Sequence, residues 1–359
     1  TAERCAGSDV LVIQDTTVVR SSGGGGLYLH VAIALDATDG ALLGLVHASF
    51  LTRKQGRRAR RGSRPIKDKE SRRSLEGAEA AARVCAKARR ITVVADRESD
   101  IYEAFARRPA AVDLLVRAAQ DRALADGEQL FSSIDSEPSA GQTTIAVPAK
   151  AGRAAREAKL AVRFMPVELK RPGKGVRHEV PASVRLSLVD TREVEPPRGI
   201  DRLHWRLLTT WPVNALSEAL LVTSMYRCRW MIEQLFRTMK TQGFDIEALR
   251  TETEAPLQRL VTATLIAAVT VQQLLHARDG KSARPLSDVL APGDVRLLQA
   301  LNNSVEGKTA RQQNPHPPDS LAYAAWVCGR LGGWTGYYGE PARSSCCAAG
   351  RSSRPQSRR

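Results

Sequence analysis

The stretch M-Y-R-C-R-W-M-I-E-Q-L-F-R-T-M-K-T-Q-G, residues 225–243, decides how the rest of this chain is interpreted. It contains no proline and many good helix formers, and Gly243 stands where a helix would end. These features predict one continuous helix. An apolar stripe of Ile232, Phe236 and Met239 would seat that helix on a core.

One face of the predicted helix carries four polar side chains within an arc of roughly 60°. They are Tyr226, Arg229, Glu233 and Lys240. A metal-binding carboxylate among phosphate-binding cations is the combination that hydrolysis of a nucleic-acid backbone requires. Charged residues along a helix more often form a solvated face with intrahelical ion pairs, so the choice depends on the rest of the chain.

The composition limits the class of protein. The chain has 359 residues, 43% of them hydrophobic, which allows a buried core in one elaborated domain or two. A net charge of +16 and a pI of about 10.1 indicate a polyanionic partner, first nucleic acid and second an anionic membrane. The sequence predicts neither a transmembrane helix nor a signal peptide. The six cysteines show no C-x-x-C pair and no zinc spacing, which favours free thiols in the cytoplasm.

Two buried strands are predicted to end in an aspartate. Residues 10–13 form a short apolar run that leads to Asp15, and residues 91–95 form a second run that leads to Asp96. Active residues of α/β sheets gather at strand ends, so parallel or adjacent strands would bring the two carboxylates together. Glu233 could then complete an oxygen site for Mg²⁺ or Mn²⁺. For Asp96 a helix cap remains the alternative.

Further elements are predicted around these strands. A β-hairpin joins residues 27–35 to residues 42–50. Three helices are predicted: residues 74–89, residues 97 to about 107, and a long amphipathic helix over residues 257–277.

Between the last predicted core strand and the glutamate helix, the pattern changes to short alternating stretches separated by glycine, proline and basic loops. The stretches are residues 143–147, 160–164, 184–189 and 205–209. They predict a β-rich insertion in an α/β protein. The predicted boundaries are 1–117 and 211–277 for the two parts of the core, 118–210 for the insertion, 278–340 for a helical C-terminal region and 341–359 for a disordered tail.

The most basic stretch, residues 53–73, has eleven lysines and arginines against one aspartate and one glutamate. We expect a mobile loop that follows a DNA backbone. Its candidate contacts are Arg57, Arg58, Arg60 and Arg61. The alternative is an ordinary solubilising loop.

Three motifs in this order resemble the bacterial insertion-sequence transposases of the DDE type, and more narrowly the insertion-sequence-four family. The Y-x2-R-x3-E-x6-K signature of that family is matched without a gap at residues 226–240. Q-D-T-T at residues 14–17 and A-D-R-E-S-D-I-Y at residues 95–102 resemble its two aspartate motifs, and L-G-G-W-T-G-Y-Y-G at residues 331–339 is also similar to the family.

The resemblance implies an RNase H-like core in which Asp15, Asp96 and Glu233 hold two divalent ions, Mg²⁺ or Mn²⁺. It implies cleavage that frees a 3′ hydroxyl at the transposon end, followed by attack of that hydroxyl on the other strand or on target DNA.

The resemblance also implies DNA contacts around the acids. Tyr226, Arg229 and Lys240 would hold phosphates near the cut. Trp205 would give a flipped base a surface to stack on, and a half-buried strand aromatic is the alternative for this residue. The implied partners are double-stranded DNA and a second copy in the DNA complex, in a bacterial cytoplasm close to the nucleoid and without a membrane.

Two departures from the family bear on these expectations. About fourteen residues precede the first aspartate motif, where relatives carry a helical DNA-binding region, and the last residues become a Ser/Arg/Cys string typical of a frameshift. The second hypothesis is therefore a truncated, non-catalytic remnant that binds DNA or transposase subunits and inhibits transposition. A host RNase H-like nuclease would leave Tyr226, Arg229 and Lys240 unexplained.

Overall fold

The computed structural model describes residues 1–22, 25–53, 72–148, 154–173, 179–241, 244–249, 253–336 and 339. These residues form a mixed α/β structure that divides into two compact units. The first unit comprises Thr1–Ser8, Thr16–Gln55 and Trp230–Arg359, and the second comprises Asp9–Asp15 and Gly56–Arg229. The domain boundaries expected from the sequence stay a prediction.

The strands, in chain order, are β1 (Asp9–Ser22), β2 (Gly25–Asp36), β3 (Leu42–Arg53), β4 (Arg90–Ala95), β5 (Val112–Arg117), β6 (Gly141–Val147), β7 (Arg156–Lys170), β8 (Ser183–Glu193) and β9 (His204–Thr209). The α-helices are α1 (Arg72–Val84), α2 (Tyr102–Arg107), α3 (Leu130–Ser136), α4 (Leu216–Arg227), α5 (Trp230–Lys240), α6 (Glu254–Ala277), α7 (Val295–Val305) and α8 (Leu321–Leu331).

The second unit is built on a mixed sheet in the order β1-β4-β5-β9-β8-β7-β6. Its β1, β4 and β5 segments are parallel, and every later pairing is antiparallel. The parallel β4 is an apolar run with almost no exposed position, as expected for a strand covered on both faces. In contrast, β7 alternates between buried and exposed positions, as expected for a strand with one solvated face. The strand pairing therefore changes from parallel to antiparallel after β5, and the β-rich insertion stays a prediction.

In the first unit, β3, β2 and the second half of β1 are neighbouring strands, and α6 packs on β3, α5 and α8. The predicted hairpin is confirmed: β2 and β3 pair antiparallel. Its turn is closed by the Gly40 amide, which donates to the Asp36 carbonyl at 2.9 Å. Gly40 has φ +73°, a left-handed conformation that glycine adopts without strain.

The expectation that the first buried strand ends before Asp15 is wrong. β1 continues to Ser22, and Asp15 therefore lies in the middle of the strand. Residues 16–19 are two threonines and two valines, and such β-branched residues favour an extended chain. The pairing of β1 with β4 nevertheless stops at Gln14, so the parallel ladder does end beside Asp15.

The continuous helix predicted around the glutamate is also wrong, because the structure has two helices there, α4 and α5. The last turn of α4 tightens, since the Cys228 and Arg229 amides donate to carbonyls three residues earlier at 3.1 and 3.0 Å. Tyr226 lies in the last turn of α4 and Arg229 in the turn between the helices. Glu233 and Lys240 lie on α5. The four polar residues do not share one helix face.

Among the residues that the structure describes, α6 alone is long and apolar enough to cross a membrane by length and composition. More than half of its apolar stretch is buried inside the protein, as in the core helix of a soluble fold. Its position against β3, α5 and α8 accounts for that burial. The predicted basic loop (except its ends), Gly243 and the predicted disordered tail lie outside the described residues.

Candidate active site

Two of the predicted acids lie side by side where a pair of parallel strands ends. The register of β1 and β4 runs from Asp9 opposite Arg90 to Gln14 opposite Ala95. The next residues of the two strands are Asp15 and Asp96. The parallel pairing expected from the sequence is thus present.

The guanidinium of Arg229 joins these two acids. Its Nη1 lies 3.0 Å from Asp15 Oδ2, and its Nη2 lies 3.9 Å from Asp96 Oδ2. The acid side chains are 29% and 32% exposed, whereas Arg229 is 15% exposed. The repulsion between the two carboxylates is therefore reduced by a guanidinium that contacts both.

Tyr226, in the last turn of α4, is another contact of Asp96. Its hydroxyl donates a hydrogen bond to Asp96 Oδ1 at 3.2 Å. Burial, followed by the negative charge of Asp96, raises the pKa of Tyr226 to about 12. The phenol is therefore a neutral hydrogen-bond donor at physiological pH.

Trp205 lies against Tyr226, with ring centroids 5.7 Å apart and an interplanar angle of 61°. This edge-to-face geometry is favourable for aromatic pairs. Trp205 also packs beside a small core cluster that includes Leu160, so part of its surface is structural. Trp205 is thus a half-buried strand aromatic, and its stacking on a flipped base stays a prediction.

Arg117 is a site residue that the sequence interpretation missed. Its Nη1 lies 3.9 Å from Asp96 Oδ1, and its Nη2 donates to the His204 carbonyl at 2.9 Å. Arg117 is the last residue of β5, the strand next to β4, and this position was the available signal. Strand ends on one edge of a parallel sheet converge, so the final residue of each neighbour is a candidate.

The other predicted site residues belong to α5 in the first unit. Glu233 is half-buried in the first turn of α5, and Lys240 pairs with Glu247 at 2.8 Å. In the part of the chain that the structure describes, no three His, Cys, Asp or Glu side chains form a group that could hold a metal. The grouping of Glu233 with the two aspartates stays a prediction. Arg57, Arg58, Arg60 and Arg61 lie outside the described residues.

Residues 70–270 match the family model of the transposase DDE domain, which is more than half of the chain. The chain belongs to the transposase DDE domain family. The match includes β4, α4 and α5, and with them Asp96, Tyr226, Arg229, Glu233 and Lys240. Asp15 precedes the matched range. Membership in this family supports a transposase function and a DNA substrate.

The carboxylates of Asp15 and Asp96 are oxygen ligands of the kind that suits a divalent cation. Divalent metals are general in the family, and Mg²⁺ is commonly held by one or two carboxylates while water and substrate phosphate fill the other positions. Asp15 and Asp96 both contact the guanidinium of Arg229, at 3.0 and 3.9 Å, so the two carboxylates face the same positive group. A metal bound to these oxygens would compete with the guanidinium.

Proposed function

We propose that the chain is an insertion-sequence transposase of the insertion-sequence-four family, which cleaves DNA at transposon ends and joins the ends to target DNA. The gapless Y-x2-R-x3-E-x6-K spacing supports the narrower family. The observation that carries the proposal is the convergence of Asp15 and Asp96 on one guanidinium at the end of two parallel strands.

The proposed architecture is an RNase H-like core with a β-rich insertion. Residues 1–117 and 211–277 would form the core, 118–210 the insertion, 278–340 a helical C-terminal region and 341–359 a tail. The change from parallel pairing among β1, β4 and β5 to antiparallel pairing in β6–β9 supports the boundary after Arg117.

Asp15, Asp96 and Glu233 are proposed as the metal ligands. A pair of bound Mg²⁺ or Mn²⁺ ions would supply an activated nucleophile and stabilise the leaving oxygen. In the first step the oxygen of water forms a bond to phosphorus, the bond to the 3′ oxygen breaks, and a 3′ hydroxyl is released. In the second step that hydroxyl attacks another phosphodiester, and a different 3′ oxygen leaves.

The cationic and aromatic neighbours would bind and orient the DNA. Arg229 can form two parallel hydrogen bonds to a phosphate, and Lys240 would add a point charge. The neutral Tyr226 hydroxyl would donate a hydrogen bond, and Trp205 would stack on an unpaired base. Duplex DNA as the partner, with Arg57, Arg58, Arg60 and Arg61 along its backbone, is proposed on the net charge of +16. A homodimer in the DNA complex is proposed on the family resemblance alone.

The decisive test compares two aspartates of one strand. Asp15→Asn should abolish Mg²⁺- or Mn²⁺-dependent nicking of labelled transposon ends, because it removes a proposed ligand. The matched control is Asp9→Asn, which changes the first residue of β1, where Asp9 pairs with Arg89 at 2.6 Å. Equal nicking by the two variants would reject the assigned role, and binding of the same DNA should persist in both.

A non-catalytic remnant that binds DNA or transposase subunits is the second candidate. It is favoured by the observation that the guanidinium of Arg229 contacts both aspartates, so that a metal would have to compete with it. This candidate predicts tight DNA binding by the wild-type chain, with no nicking in either Mg²⁺ or Mn²⁺, and inhibition of an intact transposase in a mixed assay. Any metal-dependent nicking that Asp15→Asn removes would exclude it.

A further inference from the structure

A cavity of about 310 Å³ lies in the first unit, outside the range matched by the family model. Its walls come from the end of α6, the segment before α8, and α8 with the chain that follows it. We call it the tryptophan cavity. Its lining includes Arg278, Arg311, His316, Trp326, Trp334 and Gly336.

The segment that carries Trp334 is held in place by α8. Arg330 donates from Nη1 to the Trp334 carbonyl at 3.0 Å, and from Nε and Nη2 to the Val305 carbonyl at 3.1 and 2.8 Å. The Trp334 amide donates to the Gly329 carbonyl at 2.9 Å. Arg330 therefore links the segment that follows α8 to the last residue of α7 through hydrogen bonds.

Glycine is required where this segment passes the opposite wall. Gly336 has φ +83°, and a Cβ there would come within 3.0 Å of the Arg311 carbonyl oxygen. Any other residue would be strained and would push the walls apart. The close approach of Gly336 to the backbone of Arg311 thus lets Trp334 and Arg311 line the same cavity.

The lining combines a flat aromatic surface with positive charge. Trp326 is 3% exposed and meets Trp334 edge to face, with centroids 6.3 Å apart, so the half-buried Trp334 offers the accessible ring. Arg278 and Arg311 contribute two cations. The acid of the lining, Asp279, is paired with Lys281 at 3.0 Å. Burial lowers the pKa of His316, which leaves a neutral imidazole for hydrogen bonding.

We propose that the tryptophan cavity binds one unpaired nucleotide of a DNA strand, with the base against Trp334 and the phosphate at Arg311. A planar group joined to an anion is the ligand that an aromatic ring beside guanidinium groups recognises. The cavity volume is at the lower end of the range of small-ligand sites, which suits one nucleotide. The inference shares with the proposed function only the DNA partner, and it needs no metal.

The test uses the full chain in EDTA, where nicking is absent, and a single-stranded oligonucleotide that carries one 2-aminopurine. Stacking on tryptophan should quench the 2-aminopurine fluorescence on binding. Trp334→Ala should remove the quenching and weaken binding by about 5-fold to 150-fold, the range measured for base–aromatic stacking. Trp334→Phe should keep most of the affinity because it retains a ring.

Arg311→Ala tests the phosphate contact on an exposed side chain, so it stays informative if the tryptophan variants fail to fold. It should lower the slope of log affinity against log salt by about 0.7. Arg296→Ala is the matched control, an exposed arginine of α7 outside the cavity lining, and it should preserve the quenching.

Three results would overturn the proposal. They are equal quenching by wild-type and Trp334→Ala protein, tighter binding of free deoxyadenosine monophosphate than of the strand, and full displacement of the strand by polyglutamate. Failure of the proposed function is a separate result. It would be seen as an absence of nicking in Mg²⁺, while the quenching measured in EDTA would be unchanged.

Discussion

Two acidic sites of the second unit have arginine neighbours, and one is a pair of aspartates while the other is a single aspartate. The two sites differ in the exposure of the acids and in the number of cations around them. Asp15 and Asp96 are about one-third exposed and share the guanidinium of Arg229. Asp190 on β8 is fully buried and faces four potentially cationic groups. These are Arg163 at 3.6 Å, Arg192 at 3.9 Å, Arg206 at 3.5 Å and His204 at 2.5 Å.

The Asp190 group is produced by strand register. Arg163 of β7 lies opposite Asp190, and Asp190 lies opposite Arg206 of β9, so the three form one row across the sheet. Such cross-strand pairs stabilise a sheet, and a buried charge without its partners is costly. The comparison teaches that an acid enclosed by cations serves the fold. An exposed pair of acids with one shared cation can exchange that cation for a ligand.

The largest effect that tests this comparison is expected from Asp96→Asn. Nicking should fall by roughly 10⁴-fold, since a proposed metal ligand is lost. The melting temperature should stay equal or rise, because repulsion between Asp15 and Asp96 is relieved. Activity is measured on labelled ends and stability by thermal melting. A stability loss like that of a buried acid would remove the distinction between the two groups.

The next largest effect is on stability. Asp190→Asn should lower the free energy of unfolding by about 3–5 kcal/mol, because Arg163, Arg192 and Arg206, whose side chains are only 17–28% exposed, lose a fully buried counter-charge. Denaturant unfolding measures the change. The control is Asp135→Asn, which pairs with Arg206 at 2.7 Å but is 42% exposed and should cost at most about 1 kcal/mol. Equal costs would contradict the role assigned to burial.

A smaller effect is expected on strand β9, where one residue lies beside the Asp96 site and the next residue lies beside Asp190. Successive residues of a strand point to opposite faces, and Trp205 contacts Tyr226 while Arg206 contacts Asp190. Trp205→Ala should slow hairpin formation by about 5-fold to 150-fold and slow the first nick less, as stacking contributes roughly 1–3 kcal/mol. Single-turnover assays resolve the two steps. Equal slowing of both would refute base stacking.

The smallest effect concerns a second fold-stabilising acid. Glu193 on β8 is buried, and its hydrogen bond with Arg156 lowers the pKa of Glu193 below its ordinary value of 4.5. The stabilisation is complete above that value and is lost as pH falls through the lowered pKa. Glu193→Gln should cost about 1–3 kcal/mol at pH 7, with a difference that shrinks below about pH 4. A constant difference across this range would contradict the linkage.

Sequence reasoning located the elements that local pattern determines. The apolar runs before Asp15 and Asp96 indicated buried strands. Because both runs lead to an aspartate, they also indicated that the two acids are neighbours. The hairpin of β2 and β3 followed from alternating stretches and the glycine at position 40. These features depend on a few consecutive residues, whose chemistry is visible in a single chain.

Features that depend on distant residues were not visible. The break between α4 and α5 contains neither glycine nor proline, so the helix pattern continued through it. Arg117 joins the site because β5 lies next to β4. The row through Asp190 needs the register of three strands, which no local pattern specifies.

Arg229 has a practical consequence for the metal-free protein. Because the guanidinium of Arg229 offsets part of the repulsion between the paired acids, the chain should fold in a chelating buffer. Under the proposed function, addition of Mg²⁺ to the folded chain in that buffer would start nicking with no refolding step.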